Sequence, residues 1–421
     1  MAKWETREDS VNSEIRRPDP RYLEKGLTTQ CVHAGERWPE DRVWTSNTPI
    51  YRSTTYFYDG AEALDDRLFN REPGYIYTRG GNPTQSALER ALSTLERADA
   101  TRVCASGMAA IHLALVAAGA GPGHPILCSS DVYGSVFTMI QNIFPRLGAP
   151  TLLADFTDLD RLEATMAAEK PAIVCFEVIT NPMTKIIDAP AVIDMAHRHG
   201  AVAIVDSTYT TPFLFRPLEH GADYVTHSVS KYLSGHGDVL AGSVSCRRKD
   251  YDHLLFTAIQ IGSTLSPQDC WLAQRGLKTF PLRMARQCAS AVEIARFLQA
   301  HPLIERVWYA GLSSHPQHEI AKRLFPEGRY GAMLNFDVAG CDSREKVFRF
   351  LDALSIILPA TSLGDVYSLI VNPARSTHNW LSEDELAAIG IGGGTFRLSV
   401  GIEDEEDLRE DLGQALAAVA G

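Results

Sequence analysis

No stretch of the chain approaches the ~20 consecutive apolar residues that cross a bilayer, and the opening MAKWETREDSVNSEIRRPDPRYLEKG is charged where a secretory signal is apolar. Neither a membrane partner nor export is expected, and the chain reads as cytoplasmic. The 8 cysteines, Cys31, Cys104, Cys128, Cys175, Cys246, Cys270, Cys288 and Cys341, include no C-x-x-C pair and no Cys/His cluster of zinc-finger spacing. They read as reduced core thiols, and no metal site is expected. Positive charge is in deficit: 40 Lys+Arg against 52 Asp+Glu leave a net charge of -12, a field that repels phosphate backbones and gives no reason to expect nucleic acid. A G-x-G-x-x-G fingerprint and a Walker lysine are both missing, which speaks against dinucleotides and nucleoside triphosphates. There is no tandem repeat or low-complexity tract.

What is present is 421 residues of ordinary globular composition, 45% hydrophobic and 22% charged. That length suits one large domain and a smaller one. The first ~25 residues, with Pro18 and Pro20, are too polar for a core and read as an arm lying on the surface or on a partner subunit. TQSALERALSTLERA spaces Leu88, Leu92 and Leu95 for an amphipathic helix with its charges on the opposite face. Thereafter short apolar runs (RVCA, PILCSS, PTLLAD, AIVCFEV, AVAIVD, ADYV) alternate with helical stretches, the rhythm of a mostly parallel sheet covered on both faces. From Asp269 a long helical stretch, DCWLAQRGLKTFPLRMARQCASAVEIARFLQAH, leads into an α+β pattern that includes YGAMLNFDV and TFRLSVGI.

Parallel sheets bind ligands beyond the carboxyl ends of their strands, which directs attention to three strand ends. Ser106-Gly107-Met108 passes from strand to helix, where free N–H groups and the helix dipole suit a phosphate. Asp206 closes AVAIVD, where a carboxylate is costly unless it meets a cation or a protonated ring nitrogen. Lys231 lies in Ser-Val-Ser-Lys-Tyr after ADYVTH, so one sheet edge presents an acid and an amine. That pairing is what a pyridoxal phosphate site requires: the lysine forms the Schiff base, the aspartate keeps the pyridine nitrogen protonated, and hydroxyls with backbone N–H groups hold the phosphate.

TPIYRSTTY, GYIYTRGGNPT, ASGMAAI, DVYG, TNP, VDST, HSVSKYLSGHGDVLAG, RGLKTFPLRM, SLGD and FRLSVGIED occur in the order in which they mark a known family. From Thr28 to its C-terminus the chain resembles the pyridoxal-phosphate enzymes of Cys/Met metabolism: cystathionine γ-lyase and γ-synthase, methionine γ-lyase and the O-acylhomoserine sulfhydrylases. The resemblance implies an α/β, aspartate-aminotransferase-like (type I) fold, with an arm over 1–70 contacting the neighbouring subunit. A large pyridoxal-phosphate-binding domain over 71–268 and a smaller α+β domain over 269–421 would follow. It implies Lys231 as the Schiff-base lysine, Asp206 as partner of the ring nitrogen, and Tyr133 as the aromatic that stacks on the cofactor and shuttles protons. Gly107, Met108, Ser228 and Ser230 would cup the phosphate, Asn181 would stand near the ring hydroxyl, and Thr208 beside the aspartate. Tyr77 and Arg79 match a pair that reaches the neighbouring subunit's phosphate, so a homodimer with shared sites is expected, assembled into a homotetramer. Ser362 and Arg397 match the groups that hold the substrate carboxylate, a task suited to the guanidinium fork; an interdomain salt bridge is the other reading of Arg397.

Substrate choice rests on departures from the family pattern. Thr361 stands before Ser-Leu-Gly-Asp where cystathionine-using members have a glutamate able to hold a distal ammonium. Ser135 replaces the cysteine of methionine γ-lyases, Ser207 an asparagine, and Ile179 a proline. Arg375, where a small residue is common, is either a cation recruiting a polar substrate tail or a solvated surface charge. Asp365 occurs in methionine γ-lyases and in sulfhydrylases. The expectation is γ-elimination from a methionine- or cystathionine-like amino acid, methionine-like substrates first, with γ-replacement on an O-acylhomoserine as the alternative.

Overall fold

The apolar runs form strands, and all but the half-buried edge strand Thr151–Ala154 are buried along most of their length, the condition under which a parallel sheet is stable. A computed structural model describes residues 16–38, 44–69, 71–377, 379 and 382–420. The larger sheet contains β1 (Ala100–Cys104), β2 (Ile126–Ser129), β3 (Thr151–Ala154), β4 (Ile173–Glu177), β5 (Val202–Asp206), β6 (Tyr224–His227) and β7 (Gly242–Cys246). Their order is β1-β7-β6-β5-β4-β2-β3. Only β7 runs antiparallel to its neighbours. Its sequence, GSVSC, alternates small polar residues with few apolar ones, so the apolar-run criterion passes over it.

The smaller sheet contains β8 (Ile304–Trp308), β9 (Met333–Val338), β10 (Leu358–Pro359), β11 (Leu369–Val371) and β12 (Thr395–Ser399), in the order β10-β11-β12-β9-β8. The long helical stretch after Asp269 is two helices, Pro267–Leu277 and Phe280–Ala300, broken at Lys278-Thr279 just ahead of Pro281, which has no N–H for a continuing helix. Cys270, Ala273, Leu277, Met284 and Cys288 pack in the core of the larger sheet. Ala291, Ile294, Ala295 and Leu298 pack against the smaller one, so the helix Phe280–Ala300 runs from one core into the other.

Two expectations change at the N-terminal end. Pro83–Glu96 is a helix, capped by Asn82, whose side chain accepts from Thr84 N at 2.9 Å, but its charged face is buried together with its leucines. The buried charges have partners: Glu89 accepts from Arg16 Nε at 2.8 Å, from Arg102 Nη1 at 3.0 Å and from Val103 N at 3.2 Å. Arg16 and Asp19 therefore lie inside the protein instead of on a surface arm. The same two guanidiniums hold the neighbouring loop, Arg102 Nη2 donating to Arg79 O at 2.8 Å and Arg16 Nη2 to Gly80 O at 2.5 Å. All eight cysteines are free and buried.

Removing the acid of this cluster strands two buried cations. Glu89→Ala is expected to lower unfolding stability by about 3–5 kcal/mol, read from denaturant midpoints of the intact protein; a loss below about 1 kcal/mol, the range of exposed pairs, would show that the cluster is solvated.

Candidate active site

The carboxyl ends of β1, β2, β4, β5 and β6 open on one edge of the larger sheet, and a cleft of about 870 Å³, its open mouth included, lies there. Its lining combines Gly107 and Met108 after β1, Tyr133 after β2, Asn181 after β4, Asp206 and Thr208 at β5, and Ser228, Ser230 and Lys231 after β6. Thr361 lines it too, and Arg397 enters from β12 of the other sheet. Arg397 is 2% exposed; its Nη1 donates to Asn181 Oδ1 at 2.9 Å. The interdomain contact is thus a hydrogen bond to an amide, and no carboxylate is paired with Arg397 among the described residues.

Lys231 Nζ donates to Ser362 Oγ at 2.9 Å. The turn carrying the lysine is fastened from behind by Arg283, which donates to Tyr232 O at 2.7 Å, Leu233 O at 3.1 Å and Gly276 O at 3.0 Å. Gly364, at φ +72°, closes on the same turn: a Cβ there would stand 2.6 Å from Tyr232 N. Burial pushes the Lys231 amine below the ordinary lysine range, nearby Arg397 adds to this, and Asp365 opposes it.

Several features fit an anionic, ring-bearing group. Ser106 caps the helix Gly107–Ala117 by accepting from Ala109 N at 3.1 Å, leaving the first N–H groups of the helix aimed at the cleft. Gly107 leaves that end open, since a Cβ would lie 2.7 Å from Ser228 Cβ. Asp206 accepts from Thr208 N at 2.8 Å, and Thr208 Oγ1 accepts from Ser228 N at 2.8 Å, which ties the acid to the phosphate-cup segment. Burial raises the Asp206 carboxyl above its ordinary value, with the Thr208 hydrogen bonds and His227 pulling the other way; a protonated ring nitrogen would give it the missing cation. The Arg397 guanidinium and the Tyr209 hydroxyl are buried beside one another at the cleft.

The match to the sequence reading is uneven. Tyr77 and Arg79 do not reach this cleft; they line a separate cavity with Arg16, Arg67 and Tyr75. Arg375 is exposed in the turn Pro373–Arg375, where its Nη2 donates to Asp342 O at 3.1 Å, so the surface reading holds and it lines no part of the cleft. Ser362 touches Lys231 without lining the cleft. No group of His, Cys, Asp and Glu among the described residues is placed to hold a metal. Glu177, Tyr209, Leu240, Leu363 and Ile111 line the cleft without having been singled out. Of these only Glu177 carried a signal, an acid ending the apolar strand β4 as Asp206 ends β5.

Residues 28–417 match the family model for Cys/Met metabolism PLP-dependent enzymes. The chain belongs to that family. Over 397 residues it is 38% identical to an L-methionine gamma-lyase of Fusobacterium nucleatum subsp. polymorphum, covering 94% of this chain and 98% of the relative. It is also 38% identical to the O-succinylhomoserine sulfhydrylase of Pseudomonas aeruginosa, covering 93% and 95%. A solved cystathionine gamma synthase of Xanthomonas oryzae pv. oryzae superposes with a TM-score of 0.87 at 35% identity, covering 94% and 98%. This Cys/Met-metabolism enzyme is therefore α/β, with the mostly parallel sheet of its relatives, and uses pyridoxal phosphate.

The lowered Lys231 amine has a measurable consequence in cofactor-free protein. Capture of added pyridoxal phosphate, which needs the neutral amine, is expected to speed up with rising pH and level off below the ordinary lysine range of ~10.4. A rate still climbing above that range would contradict the burial argument.

Proposed function

We propose that this enzyme catalyses γ-elimination from a thioether amino acid, methionine-like first and cystathionine-like second, giving 2-oxobutanoate, ammonia and a thiol. The observation that carries the reading is the meeting of Lys231, Asp206, Tyr133 and Arg397, drawn from both sheets, on one cleft. The remaining wall is largely apolar, Ile111, Ile179, Leu240 and Leu363, and Thr361 stands where an acid would be needed for a distal ammonium. Glu177 and Asp206 are the only acids lining the cleft among the described residues, and both close strands of the sheet.

Pyridoxal phosphate would be held through Lys231 and by Asp206, Gly107, Met108, Asn181, Thr208, Ser228, Ser230 and Tyr133, and when bound supplies an electron sink conjugated to the substrate's Cα. Arg397 Nη2 and Nε, with Ser362, orient the substrate carboxylate. Lys231 Nζ takes the Cα proton, would hand it on to the bound group and, with its lone pair free again, takes a Cβ proton; its depressed basicity favours the neutral amine that this work needs. Tyr133 Oη gives a proton to the departing sulfur. The apolar wall holds the thioether chain and keeps water from its γ-carbon.

A dimer is supported by Tyr133, 43% exposed although it lines the cleft, and by Tyr77, 48% exposed on the far cavity. We place Tyr77 and Arg79 of each subunit at the neighbour's phosphate, with the 1–70 arm contributing to that contact, 71–268 binding cofactor, 269–421 closing over substrate, and two dimers forming a tetramer. The buried free thiols suit a cytoplasmic enzyme, and no helix among the described residues is long and apolar enough to cross a membrane. The second reading is γ-replacement on an O-acylhomoserine, favoured by the likeness to a sulfhydrylase.

Product analysis separates the two. Methionine is expected to yield 2-oxobutanoate without added thiol and none with Lys231→Ala; thioether formed only when thiol and O-acylhomoserine are supplied, without oxo acid, would establish the transferase instead. Mixing inactive Lys231→Ala and Arg79→Ala subunits is expected to restore part of the turnover, because a hybrid dimer rebuilds one complete site. No recovery after verified subunit exchange would show that sites are not shared.

A further inference from the structure

Glu177 is 7% exposed at the end of β4, in register with Asp206 on β5, and no catalytic step above uses it. Burial holds its carboxyl well above the usual range, and the nearby Asp206 raises it further. A group so costly to bury needs compensation, yet among the described residues no lysine or arginine forms a salt bridge with it. Its partners are two backbone donors from different loops: Tyr133 N reaches Oε1 at 2.8 Å and Asn181 N reaches Oε2 at 2.9 Å.

Both loops carry side chains whose placement matters. Tyr133 directly precedes the helix Gly134–Asn142 and makes no side-chain cap hydrogen bond, and its ring is 43% exposed, so packing alone does not set its direction. Asn181 accepts from Arg397 Nη1 at 2.9 Å. One carboxyl group thus joins the backbone that carries Tyr133 to the loop that holds the Arg397 guanidinium.

We infer that Glu177 is a positioning residue, its two oxygens setting the distance across the cleft between Tyr133 and, through Asn181, Arg397. The inference rests on the proposed roles of Tyr133 and Arg397. Glutamine keeps one carbonyl oxygen but turns an NH₂ toward the other N–H, so Glu177→Gln loses one of the two anchors. A displacement of an ångström at a reacting group costs on the order of 10²-fold in rate.

The test is a double-mutant cycle on cofactor-loaded enzyme with Glu177→Gln, Tyr133→Phe and both together, reading kcat, KM and the visible circular dichroism of the bound cofactor. Glu177→Gln is expected to lower kcat by about 10- to 100-fold and to alter the dichroism, with a denaturant midpoint near that of the parent. In the Tyr133→Phe background the same change is expected to lower kcat by a clearly smaller factor, since only the arm through Asn181 to Arg397 is then left to lose. Independent, multiplying losses, or parental kcat and dichroism in Glu177→Gln, would overturn the inference. Full activity in Tyr133→Phe with altered dichroism in Glu177→Gln would remove the role of Tyr133 in the reaction and leave the anchoring in place. Should the glutamine variant not fold, Glu177→Asp, which retracts both oxygens, carries the same comparison.

Discussion

Two carboxylates, Glu177 and Asp206, end neighbouring parallel strands at the same register, and neither has a salt-bridge partner among the described residues. Much of the site can be understood as the answer to that burial. Asp206 is stabilised by Thr208, which also holds the backbone of Ser228, and Glu177 by the N–H groups of Tyr133 and Asn181. Each acid draws a loop inward, and each loop delivers a residue to the cleft. The remaining electrostatic demand at Asp206 is for a cation, which a protonated pyridine nitrogen would meet. A site organised in this way is preorganised for its cofactor, since the dipoles are fixed by backbone geometry and not by mobile side chains.

The amine is held by different means. Lys231 follows β6 in a turn fastened by the buried Arg283, whose guanidinium burial lowers to about 10. Because Arg283 lies on the helix Phe280–Ala300, which enters both cores, the lysine, the larger sheet and the smaller sheet share one rigid support. Arg397, from β12, meets Asn181, from the loop after β4, and also reaches Ser362 O at 3.4 Å, the residue whose hydroxyl receives the Lys231 amine. The cleft between the two sheets therefore brings the Arg397 guanidinium into the same cavity as the Lys231 amine.

Much of this was legible along the chain. Lys231, Asp206, Gly107, Met108 and Ser228 lie just beyond apolar runs, and a parallel sheet brings such positions to a common edge whatever the order of its strands. Glu177 bears the same mark, an acid closing an apolar strand, but its pattern alone does not show which loops its oxygens hold. Arg375 stood out as a departure in type, yet its side chain turns to Asp342 and solvent. The charged face of Pro83–Glu96 misled for a related reason: helical periodicity separates polar from apolar positions but cannot show that Arg16 and Arg102 arrive to bury the polar ones.

The sequence by itself determined the alternation of strands and helices, the cofactor class and the residues most directly concerned with it, since these depend on local pattern and on chemistry written in short motifs. The tertiary structure decided which of them meet. It separated Tyr77 and Arg79 from the cleft of their own chain, brought Arg397 across from the second sheet, and made Glu177 a hub for two loops. Those outcomes depend on contacts between residues far apart along the chain, on which short-range spacing carries no information.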